Sequence, residues 1–463
     1  MSAENSRSPL EREAGLARRL VSGQMMMIAL GGAIGTGLFL GTGLAVEYAG
    51  PGVILSYLIG AAIAYMLMLC LAEMAVAHPT AGSFGVYSEM YVGKGAGFVV
   101  RYTYWAAQAL AIGGEATAVG LYMRFWIPGI PVWVWVLVLG LALVYVNSRA
   151  VNTFGTFEYW FAMIKVVAIV AFILVGLILV FGVNGVDSAQ QNYVEHGGFL
   201  PSGLGGVWLA VLVAIFSFYG TEVVAVTSGE AEDPSRSIPR AMRAMVLRLI
   251  VFYILAVAVM LAIVPWTDVA TEVVRESPFV TALAQIGIPG AASIMNFVVL
   301  TAALSSMNTN LYLCTRMIYS LSRGGYAPQV LGRLSERRVP LNALLISSVG
   351  IAIAMALNIL TPDAWGILFG VAIFGGIFVW IMIFVAFLRF RPRWQGETLP
   401  VRAPLYPILP IAGAGLLAAI LLTMLFNPDW RFAWYAGIPF LIFLVVLYFV
   451  FRRRISAESR TNP

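Results

Sequence analysis

A helix that crosses a bilayer has to satisfy its own backbone N–H and C=O groups, so a glycine-dense run inside an apolar span needs a reason. Two such runs occur in this chain. One is Gly31-Gly32-Ala33-Ile34-Gly35-Thr36-Gly37-Leu38-Phe39, in the first apolar stretch; the other is Phe216-Ser217-Phe218-Tyr219-Gly220-Thr221-Glu222, in the sixth. Each carries a Gly-Thr step, Gly35-Thr36 and Gly220-Thr221. Glycine weakens a helix by about 1 kcal/mol relative to alanine. Unwound backbone at membrane depth is tolerated only where it faces protein or a wet cavity. Paired interruptions in corresponding spans of two halves point to a solute site between them.

The surrounding sequence is that of a membrane protein. Apolar types make up 60% of the 463 residues, charged types 11%, and mean hydropathy is +0.89, against roughly 25% charge in a soluble domain. The sequence predicts an all-α polytopic fold of twelve spans, near 24–48, 53–77, 99–125, 130–147, 157–183, 205–229, 244–265, 290–319, 341–360, 364–388, 404–426 and 433–451, each about the ~20 residues a crossing helix needs. The spans lack the apolar–polar alternation of an outer-membrane barrel. Of the 28 Lys and Arg residues, 24 fall on the side of the termini, Arg124, Arg275 and Arg431 fall on the other, and Lys165 lies within a span. The positive-inside rule then puts both termini in the cytoplasm. The net charge of +6 is a by-product of that asymmetry and implies no nucleic-acid partner. The first apolar run is too long for a cleavable signal, and Cys70 and Cys314 fall within spans as packing residues.

The two interrupted spans lie about 185 residues apart, one heading spans 1–5 and the other heading spans 6–10. Five is odd, so the second set enters from the opposite face, which makes residues 24–183 and 205–388 candidate inverted repeats within a ten-helix core. Residues 1–23 form a polar tail with a weak apolar periodicity at Leu10, Leu16 and Leu20, which fits surface-lying and disordered readings equally. Residues 389–463 hold two additional spans and a second cytoplasmic tail, after the connector that begins Arg389-Phe390-Arg391-Pro392-Arg393. Pro79-Thr80-Ala81-Gly82-Ser83 reads as a turn-rich cytoplasmic segment. The long outer loop from Trp266 to Pro289 has room for a short helix over the vestibule.

Few polar residues are available at depth, and a charge there is costly unless it has a purpose. Lys165 is one of two lysines in the chain and sits about two turns into span 5. It reads either as a snorkelling side chain or, because an ammonium gives up its proton more easily than a guanidinium, as a fixed cation or proton carrier. Glu222, directly after the second break, either finishes a helix end or serves in proton binding and gating. Glu115, in mid-span 3, is either a structural partner or a substrate or proton ligand. Glu230, at the cytoplasmic end of span 6, reads as solvated or loop-pinning, with gating as its functional alternative. Span 8 carries Ser305-Ser306-Met307-Asn308-Thr309-Asn310, either back-bonded to its own helix or lining a wet pocket. Freed amides at a helix start favour anions and freed carbonyls favour cations. Thr36 and Gly37 can therefore receive a carboxylate and Phe216 and Tyr219 an ammonium, which together describe an α-amino acid zwitterion. The side-chain pocket is expected around Ile112, Glu115, Ser305, Ser306 and Phe374.

Over nearly its full length the chain resembles the amino acid transporter family of the amino acid–polyamine–organocation superfamily. The stretches that carry the likeness are Gly31 to Phe39, Pro79-Thr80-Ala81-Gly82-Ser83-Phe84, Tyr219-Gly220-Thr221-Glu222 with Gly229-Glu230, Ala303 to Asn308, Arg316-Met317-Ile318-Tyr319-Ser320-Leu321 through Gly325-Tyr326-Ala327-Pro328, and Leu388-Arg389-Phe390-Arg391. The resemblance implies the five-plus-five inverted-repeat fold and proton-coupled amino acid uptake by alternating access in a bacterial cytoplasmic membrane. It implies that amides at Thr36 and Gly37, next to Gly35, hold the substrate carboxylate, and that carbonyls of Ala33, Phe216 and Tyr219 hold its ammonium. Lys165 matches a span-5 lysine that stands where sodium-coupled relatives bind a cation, touching span 1 and the span-8 serines. Glu222 matches a carboxylate linked to proton coupling, and Glu115 resembles the span-3 acid of aromatic-type permeases. The usual Arg-Ala-Leu/Met-Gly-Glu signature that ends span 2 is replaced here by Cys70-Leu71-Ala72-Glu73-Met74.

The leading expectation is thus a proton symporter for a neutral or aromatic α-amino acid, with an exchanger on the same fold as the alternative. Sodium coupling is disfavoured because Lys165 would repel the ion. An intramembrane enzyme would need a His, Asp or Cys constellation at depth, whereas His78 and His196 fall in loops; a channel would need a ring of like charges or a carbonyl filter. The expected partners are the amino acid, a proton and the lipid bilayer. No cofactor or metal is expected, and the chain is expected to be a monomer or weak homo-oligomer.

Overall fold

The computed structural model describes residue 10 and residues 22–149, 151–183, 186–230, 233–270, 277–285, 289–396 and 398–461. Among these the chain is helical, with no strand. The first apolar stretch is not one helix but three: α1 (Ser22–Ala33), α2 (Thr36–Phe39) and α3 (Gly41–Ala49). Gly35, with extended backbone at φ −130° and ψ −151°, separates the first two. Next come α4 (Val53–Ala77), α5 (Ser83–Tyr91), α6 (Lys94–Arg124), α7 (Val132–Asn147), α8 (Val151–Ile178) and α9 (Val186–Val194). The second interruption follows α10 (Gly203–Phe216): the chain runs through turns to Glu222, with Gly220 at φ +93°, before α11 (Val223–Val226) and a 3-10 turn over Thr227–Glu230. The remaining helices are α12 (Pro234–Ile263), α13 (Trp266–Val269), α14 (Pro278–Gln285), α15 (Ala291–Arg323), α16 (Leu341–Ser347), α17 (Val349–Leu360), α18 (Ala364–Phe390), α19 (Ile408–Phe426) and α20 (Phe432–Thr461).

Eight described stretches are long and apolar enough to cross a membrane: Gly41–Ala77, Glu158–Gly182, Pro234–Ile263, Ala291–Arg323, Leu341–Leu360, Ala364–Arg393, Ile408–Phe426 and Phe432–Phe451. Leu30–Phe39, Val132–Asn147 and Gly203–Phe216 are apolar but shorter, two of them because a break interrupts them. The chain is a polytopic, all-helical membrane protein. Helices α6 and α15 pack along each other at its centre; α18 lies against α6, and α8 bridges α1 and α15.

Three details differ from the sequence reading. Helix α8 starts at Val151 rather than near 157: no proline stands between, and Gly155 alone costs only about 1 kcal/mol. Lys165 is therefore fourteen residues inside the helix, about 21 Å by helix rise, not two turns. The segment after the Pro79 turn is a helix, α5, whose Phe84 and Tyr87 are buried; the Phe84 ring meets that of Tyr104 with centroids 4.7 Å apart. The outer loops carry α9, α13 and α14, where one short helix was expected. Of the tail periodicity at Leu10, Leu16 and Leu20, the last two residues lie outside the described ones, as does the side chain of Glu230.

Candidate solute site between the two helix breaks

The breaks are in contact. A Cβ added at Gly220 would stand 2.7 Å from the carbonyl carbon of Gly32, so the second break rests on the backbone of the first. With φ at +93°, in the region that L side chains avoid, Gly220 is glycine for two reasons at once.

The groups freed by unwinding have specific partners. Lys165, buried on α8, donates from Nζ to the carbonyls of Gly31 (2.6 Å) and Ile34 (2.9 Å). It does not snorkel; its charge is spent on the first break. Tyr253 on α12 places its hydroxyl 2.9 Å from the Ala33 carbonyl and 2.8 Å from that of Ser217, so one O–H spans both breaks. Tyr57 on α4 bonds Thr42 (2.7 Å) and Ser217 Oγ (3.3 Å). Glu115 on α6 lies 3.4 Å, through either oxygen, from the amide N–H of Thr36 and accepts from Ser306 Oγ at 2.8 Å. Glu222 accepts from the Gly220 amide (3.1 Å) and the Tyr104 hydroxyl (3.0 Å). It braces the second break from within, as a buried acceptor should to offset its desolvation.

Between the breaks lies a cavity lined by Gly32, Ala33, Gly35, Gly37, Gln108, Ala111, Glu115, Phe216, Tyr219, Gly220, Ser306 and Asn310. It leaves about 20 Å³ for water centres, room for one or two waters. Glu115 is the only carboxylate in that lining. A row of rings continues from it, Phe216 to Phe369 (4.4 Å between centroids) and Phe369 to Trp365 (4.3 Å, stacked). Tyr219 is held against α18 by a bond from its hydroxyl to the Ile373 carbonyl (3.0 Å).

The structure thus gathers Ala33, Gly35, Gly37, Glu115, Phe216, Tyr219 and Ser306 around one space, with the Thr36 amide on Glu115 beside it. Ser305 turns away, one residue and about 100° round the helix, to bond Glu158. Ile112 is packed with Leu368 and Val136, and Phe374 meets Trp434 edge-on; neither is among the residues lining this cavity, which include Gln108, Ala111 and Asn310. Sequence reasoning missed Glu158, Tyr57 and Tyr253. At the end of span 2, Glu73 pairs with Arg391 (3.2 Å) and accepts from the Ala403 amide (2.7 Å), while Arg391 donates to the Ala403 carbonyl (2.7 Å). The connector after α18 is thereby fastened to α4. Among the described residues no group of His, Cys, Asp and Glu is arranged to hold a metal.

Known proteins supply the family. A model described as amino acid permease matches residues 24–460. The amino-acid permease RocC of Bacillus subtilis (strain 168) is 40% identical over 458 residues, which covers 96% of this chain and 97% of that one. A putative histidine permease of the same organism is 38% identical, covering 96% of each. The aromatic amino acid transport protein AroP of Escherichia coli (strain K12) is 39% identical, covering 96% and 98%. Matched from the first helix to the last, the chain belongs to the amino acid permease family and is a transporter, not an enzyme.

Proposed function

We propose that this protein takes up an α-amino acid, neutral or aromatic in its side chain, by proton-coupled symport. The observation that carries this reading is the cavity between the breaks, whose walls combine residues of both breaks with Glu115, Ser306 and the side chains of Gln108 and Asn310. The substrate carboxylate takes the amides at Thr36 and Gly37 and displaces Glu115, which occupies the Thr36 amide until then. The substrate ammonium takes the carbonyls of Ala33, Phe216 and Tyr219. The Phe216 carbonyl accepts from the Tyr219 amide and has a second lone pair; the Ala33 carbonyl already accepts from Tyr253 and from the Gly35 amide, so the ammonium displaces one of those two donors. The names of the relatives, one for aromatic amino acids and one for histidine, support the substrate class.

The arrangement fits twelve spans with both termini in the cytoplasm of a bacterial inner membrane. Residues 24–183 and 205–388 form two five-span repeats of opposite orientation that rock about the site, and 389–463 adds two further spans. Lys165 and Glu222, which hold the two breaks, convert proton binding into motion, with Glu230 at the cytoplasmic mouth. Two measurements test the proposal. In proteoliposomes without internal amino acid, an imposed inward pH gradient drives uptake; uptake that instead requires internal substrate identifies an exchanger. A thermal-shift panel of the twenty amino acids and γ-aminobutyrate identifies the substrate, because a ligand bound only by the folded state raises the melting temperature.

A further inference from the structure

We propose that Glu158 is the proton partner of Lys165, a relay carboxylate between the first break and the cytoplasmic end of α8. The inference rests on the proton-coupled reading above and adds to it a residue outside the cavity.

Four observations lead there. Glu158 and Lys165 are seven residues apart on α8, two turns, and so project from one face. Both are 0% exposed. Both converge on Gly31: Lys165 donates to its carbonyl, and a Cβ at Gly31 would fall 1.8 Å from Glu158 Oε1. Finally, the donors to Glu158 are neutral, Ser305 Oγ on one oxygen and Asn308 Nδ2 (3.0 Å) on the other; Asn308 is held in turn by Asn147 of α7 (2.6 Å). Neither donor carries a charge, so neither offsets the cost of burying an acid.

The surroundings limit what that is. Lys165, on the same helix, and Glu115, on α6 behind Ser306, are the ionisable groups facing this region. Helix α1 contributes Gly31, α7 contributes Asn147, and α15 contributes Ser305 and Asn308. Glu158 is seven residues from the start of α8 and Lys165 fourteen, about 10 and 21 Å along the helix. The carboxylate therefore stands on the way from the lysine to the cytoplasm.

The relay has two steps. An N–H bond of the Lys165 ammonium breaks and an O–H bond forms on Glu158 across one bridging water, so that two opposite charges become a neutral amine and a neutral acid. The acid then gives its proton to cytoplasmic water and returns to carboxylate, and Lys165 takes a new proton from the outer side. One proton crosses per cycle and no electrons change hands. A neutral amine is a weaker donor than an ammonium, so the first step also loosens the grip on the Gly31 and Ile34 carbonyls.

The test compares wild type with Glu158→Gln in proteoliposomes, by net uptake under an imposed pH gradient and by counterflow of labelled against unlabelled substrate at equal pH. Counterflow needs no proton release. The expected result is counterflow close to wild type with net uptake down about a hundredfold, the low end of what removing a positioned proton-transfer group costs. Gradient-driven uptake equal to wild type overturns the proposal, as does joint loss of both activities in a variant whose melting temperature is unchanged. If Glu158→Gln does not fold, Asn308→Ala replaces it. That variant removes a neutral donor from the carboxylate; a moved pH profile of net uptake with counterflow retained supports the relay, and an unmoved profile overturns it. A wild type indifferent to the pH gradient sinks the proton-coupled reading itself, an outcome distinct from normal coupling in Glu158→Gln.

Discussion

Gly220 sits with its Cα against the peptide of Gly32, at a separation that leaves no place for a methyl group. This contact sets the backbone of one break directly against that of the other. It also explains why the second break is built on a residue with positive φ, since that conformation turns the chain aside just where the first break approaches.

Gly220→Ala is therefore expected to damage both fold and transport. The left-handed conformation costs an L residue about 1–2 kcal/mol, and the methyl group would have to displace backbone rather than a side-chain tip. A lower melting temperature in detergent, together with strongly reduced substrate uptake, is the expected outcome. Wild-type stability and uptake would show that the breaks can separate freely.

Lys165→Ala removes two charge-assisted bonds from freed carbonyls, each worth about 1.5–3 kcal/mol. Its melting temperature should fall accordingly and its net uptake should vanish. Lys165→Arg keeps the charge but not the ready loss of a proton. It is expected to recover part of the stability without gradient-driven uptake; full recovery of uptake would make Lys165 a fixed cation.

Tyr253→Phe should behave differently. It deletes the single hydroxyl shared by the carbonyls of Ala33 and Ser217 and leaves the rings packed against Tyr57 and Phe218 in place. An unsatisfied buried acceptor costs about 1–3 kcal/mol. The expected signature is a modest loss of thermal stability with a larger change in substrate affinity, read as a reduced melting shift at fixed ligand concentration.

Arg391→Ala tests the fastening of the connector. Removing one partner of a mostly buried pair costs about 3–5 kcal/mol, and Arg391 also holds the Ala403 carbonyl. A marked fall in melting temperature is expected, restored in part when Glu73→Gln is added, because the double variant no longer buries an unpaired carboxylate.

Much of this arrangement is legible in the sequence, for physical reasons. The interruptions betray themselves because glycine at membrane depth is costly, and Lys165 because lysine is so scarce here. Glu158 escapes notice because α8 begins six residues earlier than the apolar run suggests, which disguises a fully buried acid as a solvated one at a helix start. Tyr57 and Tyr253 look like ordinary core aromatics, and only their hydroxyl partners, distant in sequence, mark them as struts. Ser305 and Ser306 are indistinguishable in a linear text, although a turn of the helix sends one to Glu158 and the other to Glu115. Helix α5 was obscured by the turn residues just before it.

The chamber between the breaks admits no more than a water or two. In this conformation the space is too small for an ion with its hydration shell, so whatever enters sheds water and pushes the walls apart.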